Sequence, residues 1–260
     1  MRKSLIKGPI FGEDLNSEFA GSKLYILLQN LKHIFWRNSF SETGEDAIIS
    51  QFFPEFSGSY LDIGAGNPVI GSNSFYLYRR GFFGICVDPI PNMNLAWKVL
   101  RLKDKFISKA VSAQEESSIT FYSFRNSLLS TTENLIAEFH SKKGKGYKTI
   151  QVETVKMAEI MPHRLESSEP FLLSLDVEGS EFELLKQIDF QRQRPRVILV
   201  ESWSIPWENS PPFANLLKTA KYRLVGYTGL TCVYLAMEIE EKYFQNRWQL
   251  SNVNQSLKAE

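Results

Sequence analysis

An α/β fold with a mainly parallel central sheet, helices on both faces and an antiparallel β-hairpin at the sheet edge is predicted by three features of the sequence. From Ser59 onward, apolar runs alternate with helical patterns, as in successive strand-helix-strand units. The first run ends in an acid followed by glycines, Asp62-Ile63-Gly64-Ala65-Gly66-Asn67, which reads as the turn from strand into loop. Further on, YRLVGY (222–227) and LTCVYLA (230–236) are separated by Thr228 and Gly229, which predicts the hairpin.

The elements follow in order. Residues 14–37 read as helix, because Leu24, Leu27, Leu28, Leu31, Ile34 and Phe35 recur at helical spacing among Lys23, Lys32 and Arg37. Few basic residues flank this stripe, so it is expected to pack on the main domain rather than on a membrane. A short helix covers Glu45 to Phe53 and stops at Pro54. The strands are SYLDI (59–63), GICVD (84–88), KFISKAV (105–111), FLLSLD (171–176) and RVILVE (196–201). Helices are expected from Asn73 to Arg80, from Asn92 to Leu102 and from Glu181 to Ile188. Residues 117–155 break the alternation: SITFYSF and KTIQVETV, with a serine-rich stretch and the basic run SKKGKGYK between them, read as an insertion. A last helix, Glu238 to Leu250, precedes a polar tail. The chain thus divides into a helical extension (1–40), one domain (41–250) carrying the insertion, and the tail (251–260).

Composition narrows the function classes. With 260 residues and 43% hydrophobic content, the chain can bury one sizeable core. Its 30 basic and 29 acidic residues nearly cancel, so no overall field draws it to nucleic acid or to an anionic membrane. Cys86 and Cys232 lie in apolar runs and are expected to pack as small hydrophobes rather than to pair. Neither a signal peptide nor a membrane span is evident, and a reducing cytoplasm is the expected compartment.

Chemistry concentrates at three strand ends. A dinucleotide fingerprint, counted from Gly64, requires a third glycine where Val69 stands, and Asn67-Pro68 fits poorly with a helix that begins at a pyrophosphate. S-adenosylmethionine carries no phosphate, and an acid ahead of the glycines suits its ammonium group. Asp88, 22 residues beyond Gly66, can accept hydrogen bonds from ribose hydroxyls under either cofactor reading. The third site is Asp176-Val177-Glu178-Gly179-Ser180-Glu181, where an apolar strand delivers two carboxylates. Ser180, Glu181 and Glu183 suit the start of the following helix. Asp176 is expected beside the cofactor, where a carboxylate can align an acceptor hydroxyl and take its proton.

These blocks resemble the FkbM-type methyltransferases, a family within the class I Rossmann-like methyltransferases. The resemblance rests on TGEDAIISQFF (43–53), YLDIGAGNPVIGSNSFYLYRRGFFGICVDPIP (60–91), AVS (110–112) and FLLSLDVEGSEFELL (171–185), and RVILVE extends it. It implies S-adenosylmethionine as cofactor, with Asp62, Gly64, Ala65 and Gly66 as the methionine-side cradle and Asp88 as the ribose acid. Ala110, Val111 and Ser112 would form the adenine edge, Glu45 and Asp46 part of the same cleft. Pro68 departs from the glycine common in the wider class, so Asn73 and Ser74 are expected to line the loop instead. The resemblance also implies O-methylation of a hydroxyl on a sugar, glycoconjugate or natural product.

Other candidates are weaker. His33, His140 and His163 form no spaced metal motif, though His140, beside the serine-rich stretch Ser127 to Thr132, joins Asp176 and Glu178 as a candidate proton acceptor. A Mg²⁺ site of Asp176, Glu178 and Glu201 is chemically possible, but strand-end carboxylates more often serve substrate or structure, and no metal is expected. Lys142, Lys143, Lys145 and Lys148 read as a solvated loop. Trp203 and Trp207 follow the fifth strand, where they either stack on a sugar or pack in the core. The competing functions are a nicotinamide-dependent oxidoreductase, opposed by Val69, and a catalytically silent cofactor-binding scaffold.

Overall fold

The structure, a computed structural model, describes residues 23–166 and 169–241. A seven-stranded sheet forms its centre, in the order β3-β2-β1-β7-β8-β10-β9. Its strands are β1 (Ser59–Ile63), β2 (Phe83–Val87), β3 (Lys105–Ile107), β7 (Phe171–Leu175), β8 (Val197–Glu201), β9 (Tyr222–Tyr227) and β10 (Thr231–Ala236). The first five run parallel; β10 pairs antiparallel with both β8 and β9. The predicted hairpin is therefore present, with its second strand inserted between β8 and the edge strand β9.

Strand alternation builds two cores. Leu61, Ile63, Leu173, Leu175, Ile198 and Val200 point to one face, where Met157, Leu184 and Leu217 cover them. Tyr60, Leu172, Val197 and Leu199 point to the other, beneath Ile49, Leu77 and Trp97. Because both faces are covered, these strands read as nearly continuous apolar runs. The first face carries α6 (Met157–Ile160), α7 (Glu181–Leu185) and α8 (Ala214–Thr219); the second carries α2 (Glu45–Ile49), α3 (Phe75–Arg79) and α4 (Asn94–Leu100). Helices α6 and α8 have no counterpart in the sequence reading, and α2 ends four residues before Phe53, giving way to a turn. The amino-terminal helix α1 spans Lys23–Trp36. Residues 14–22 of its expected range, and the expected last helix and tail beyond residue 241, lie outside the described residues. No helix among the described residues is long and apolar enough to cross a membrane.

One expected strand is two. KFISKAV bends where the Lys109 N–H bonds back to the Ile107 carbonyl (3.0 Å), so Lys105–Ile107 stays in the main sheet and β4 (Ala110–Ser112) leaves it. There β4 pairs with β6 (Tyr147–Lys156), which pairs antiparallel with β5 (Ser118–Phe124), to form a second sheet of three strands. Between β5 and β6 lies α5 (Asn134–Lys142). The residues read as an insertion thus complete a small sheet, and the basic run begins on a helix.

A buried ion pair ties the glycine loop to the second core. Arg101 and Asp104 are fully enclosed, with Nε and Oδ2 at 2.6 Å. The same guanidinium donates to the Pro68 carbonyl (2.7 Å), the Ser74 hydroxyl (2.9 Å) and the Tyr60 hydroxyl (2.9 Å).

Candidate active site

The chain runs from β1 outward through β2 to β3, then resumes at β7 on the other side of β1. That reversal opens a crevice at the carboxyl ends of β1 and β7, the usual position of a ligand site in an open α/β sheet. A cavity of about 420 Å³ lies there, within the range of pockets that hold small molecules.

The glycine loop forms one wall. The Gly64 and Ala65 N–H groups donate to the Val87 carbonyl (2.9 and 3.2 Å), and the Asp176 N–H donates to the Ile63 carbonyl (2.9 Å), so the ends of β1, β2 and β7 are bound together. Gly64 has φ 78°, and a Cβ there would lie 1.6 Å from the Asp176 carbonyl oxygen. Only glycine allows this approach, which also sets Asp176 directly beside the loop. Asn67 supplies the turn around Pro68, its Oδ1 accepting from the N–H groups of Val69 (3.0 Å) and Ile70 (2.9 Å). The Gly66 peptide is held on both sides, its N–H by Asp88 Oδ2 (2.8 Å) and its carbonyl by the Trp97 indole (3.1 Å).

Gly66 differs from Gly64 in a testable way. Its φ is 50°, and a Cβ there would meet nothing nearer than the Gly64 carbonyl at 4.0 Å. Gly66→Ala is therefore expected to fold, losing about 1–2 kcal/mol for the left-handed conformation, while its methyl occupies space bordering the cavity. Thermal melting together with titration of S-adenosylhomocysteine checks this, and unchanged affinity would show that no ligand passes over Gly66.

Asp88 is buried at the cavity wall. Its Oδ1 accepts the Ile90 N–H (2.7 Å) and Oδ2 the Gly66 N–H, which leaves about half of a carboxylate's roughly four acceptor positions free. Burial raises its pKa to about 6, against the opposing effect of those two donors.

Asp176, Glu178 and Glu201 form the floor. Each offers an oxygen atom within 4.8 Å of those of the other two. Burial raises all three pKa values; beyond that, Glu201 acts on Asp176, Asp176 on Glu178 and Glu178 on Glu201. Glu181 lies beneath and accepts the N–H groups of Val177 (3.1 Å) and Gly179 (3.2 Å), bracing the turn in which Glu178 takes φ 57°. Such a cluster can accept a proton or bind a cation.

Of the sequence candidates, Glu45, Gly64, Ala65, Gly66, Asn73, Asp88, Ala110, Val111, Asp176 and Glu178 line the cavity, and five do not. Asp46 turns away to accept the Phe40 N–H (2.6 Å) and the Ser39 hydroxyl (2.8 Å), which closes the loop before α2. Asp62 points into the second core because β1 alternates: Leu61 and Ile63 face the first core, Tyr60 and Asp62 the other. Burial raises the Asp62 pKa, with Ser74, Arg101 and Ser174 opposing. Ser74 is enclosed beneath the loop with Arg101, and Ser112 caps the turn after β4 by accepting the Gln114 N–H (3.0 Å). His140 lies on α5, buried among the rings of Phe139 (5.5 Å), Trp203 (5.7 Å) and Phe124 (5.8 Å).

Other lining residues are absent from the sequence reading. Phe121, Asn126, Ser130 and Thr132 come from the second sheet and the segment after it, and Thr231 from the hairpin. The serine-rich stretch was the one signal for the former; the latter needed the position of β10. Trp203 also lines the cavity and is 57% exposed, so it is not a core residue.

Residues 62–225 match the family model described as the methyltransferase FkbM domain. No curated protein matches the chain. Among solved structures, a TehB-like SAM-dependent methyltransferase from Corynebacterium glutamicum is similar over 82% of this chain and 97% of its own, at 12% identity and TM-score 0.40. Human N-acetylserotonin methyltransferase, solved in complex with SAM, is similar over 86% of this chain and 59% of its own, at 13% identity and TM-score 0.34. A SAM-dependent methyltransferase from Aquifex aeolicus is similar over 82% of this chain and 97% of its own, at 14% identity and TM-score 0.30.

Proposed function

Because the chain belongs to the FkbM methyltransferase family, with S-adenosylmethionine as its cofactor, we propose that it methylates a hydroxyl oxygen on a sugar, glycoconjugate or other natural product. The observation that carries this reading is the meeting of the glycine loop, Asp88 and the Asp176–Glu178 pair around one cavity. Membership of the family sets aside the nicotinamide-dependent alternative.

The residues fit the cofactor. Asp88 keeps acceptor positions free toward the cavity, as a ribose diol requires. Val111, Ile90 and Phe121 supply apolar surface for an adenine, next to Ala110. The loop from Gly64 to Gly66 brings backbone rather than side chain to the methionine portion. When bound, S-adenosylmethionine supplies a methyl group on a sulfonium, and the sulfur keeps the electron pair of the broken bond. The chain's own part is to align the acceptor oxygen and to take its proton. Asp176 and Glu178 are the groups for that step, since both line the cavity and a carboxylate of this buried cluster that stays ionised is a stronger base than one in water.

The test starts with the cofactor. S-adenosylhomocysteine is expected to bind one per chain, and Asp88→Ala to weaken it by about 1.5–3 kcal/mol for loss of a charge-assisted acceptor. Affinity of the parent chain should also fall as pH drops below about 6, where a proton occupies the carboxylate the ribose needs. Calorimetry across pH 5 to 8 measures both; a mutant that melts lower yet binds equally would remove Asp88 from the site. A screen of hydroxylated acceptors, read by release of S-adenosylhomocysteine, then identifies the substrate. Binding without turnover on any acceptor would favour the silent scaffold.

A further inference from the structure

Asp176, Glu178 and Glu201 bring three carboxylates from the ends of two adjacent strands, β7 and β8, to one point on the cavity wall, with one oxygen of each within 4.8 Å of the others. Proximity alone does not make a site. A second observation does: Glu201 is only 8% exposed, and although the Trp203 and Asp176 side chains adjoin its carboxyl, its Oε2 is buried with no hydrogen-bond partner. Glu178 Oε2 is in the same condition. A carboxylate oxygen withdrawn from water requires a donor or a cation. Among the described residues, no lysine, arginine or histidine forms an ion pair with any of the three. A proton shared between two of these groups relieves that pair but leaves unpartnered oxygens without a donor. A cation takes lone pairs from all three.

We propose that Asp176, Glu178 and Glu201 form a binding site for one hard divalent cation of the Mg²⁺ or Mn²⁺ class. The donor set is all oxygen, as such ions require. Oxygen atoms bound to one hard cation stand no more than roughly 4–5 Å apart, and the three carboxylates, all within 4.8 Å of one another, come close enough together to share such an ion. Glu181 is occupied in bracing the turn and is not a ligand. Three protein ligands leave the cavity side of the ion to water or to acceptor oxygens, a pattern common for Mg²⁺. That the ion holds an acceptor hydroxyl and acidifies it rests on the methyl-transfer reading; the binding site itself does not.

The experiment uses the full chain, stripped with a chelator and titrated with MnCl₂ by calorimetry and by the electron paramagnetic resonance of free Mn²⁺. One Mn²⁺ per chain is expected, displaced by excess Mg²⁺. Glu201→Gln and Glu178→Gln should each weaken it by at least 10-fold, in line with the roughly 10–100-fold cost of disturbing a metal's supporting groups. Far-UV circular dichroism and thermal melting of each variant show whether it is folded, and two variants guard against the loss of one. No uptake of Mn²⁺ at millimolar concentration, or uptake by both folded variants equal to that of the parent, overturns the site. Mn²⁺ uptake by a chain that does not bind S-adenosylhomocysteine supports the site while defeating the methyl-transfer reading.

Discussion

Asp176→Asn is expected to bind S-adenosylhomocysteine as the parent chain does and to turn over roughly 10²–10⁴-fold more slowly, the range for loss of acid–base assistance. The substitution keeps the size of the side chain and removes its capacity to take up a proton. Binding should survive because the contact of Asp176 with the glycine loop is made by backbone: its N–H donates to the Ile63 carbonyl, and its own carbonyl lies where a Gly64 Cβ would be. Turnover should fall because the side chain lies at the cavity with Glu178 and Glu201, where the proposed reaction has it take a proton or help to hold the acceptor. Single-turnover methyl transfer, paired with cofactor titration of the same variant, separates the two effects. Near-parental turnover at saturating acceptor would move the proton acceptor to Glu178 or Glu201. His140 is no longer the natural alternative, because aromatic rings enclose it away from the cavity lining.

Asp104→Ala is expected to destabilise the chain by about 3–5 kcal/mol, since removing one partner leaves a charge buried and uncompensated. In a protein of this size that lowers the melting temperature by roughly 6–20 °C. Arg101 has no exposed surface, so its guanidinium cannot turn to water when Asp104 is lost. The Tyr60 hydroxyl and the Gly84 N–H lose the same carboxylate. Replacing both ions, as Arg101→Leu with Asp104→Leu, should recover only part of the loss, because the Pro68 carbonyl and the Ser74 hydroxyl would then lack their donor. Pro68 belongs to the glycine loop, so under the proposed function the double variant should also bind S-adenosylhomocysteine more weakly. Calorimetric melting of the single and double variants decides the matter; a parental melting temperature for Asp104→Ala would show that the pair contributes nothing.

The sequence by itself determined the fold class, the family and the strand ends that line the cavity. Strands buried on both faces declare themselves as apolar runs, and an acid or glycine at the end of such a run falls at the sheet's carboxyl edge whatever lies elsewhere. Hence Gly64, Gly66, Asp88, Asp176 and Glu178 were legible, and all line the cavity. Direction within an element was less so. Asp62 and Asp88 look equivalent as strand-end acids, yet Asp62 lies one residue inside β1 and alternation turns it into the core, whereas Asp88 lies one residue beyond β2 and opens to the cavity. Asp46 and Ser74 were misplaced for a related reason: short polar side chains next to a glycine loop serve the loop's own backbone and buried ions as readily as a ligand.

Only the tertiary structure decided contacts between residues distant in the chain. The turn at Lys109 that diverts Ala110–Ser112 into a second sheet has no strong local signature, and through that sheet Phe121 and Thr132 reach the cavity wall. Thr231 arrives because β10 inserts beside β8, and β8 in turn sets Glu201 against Asp176 and Glu178, more than twenty positions earlier in the sequence. Periodicity reports which face of its own element a residue occupies. Which carboxylates then share one point in space depends on strand order and register, and those are settled by packing the whole chain.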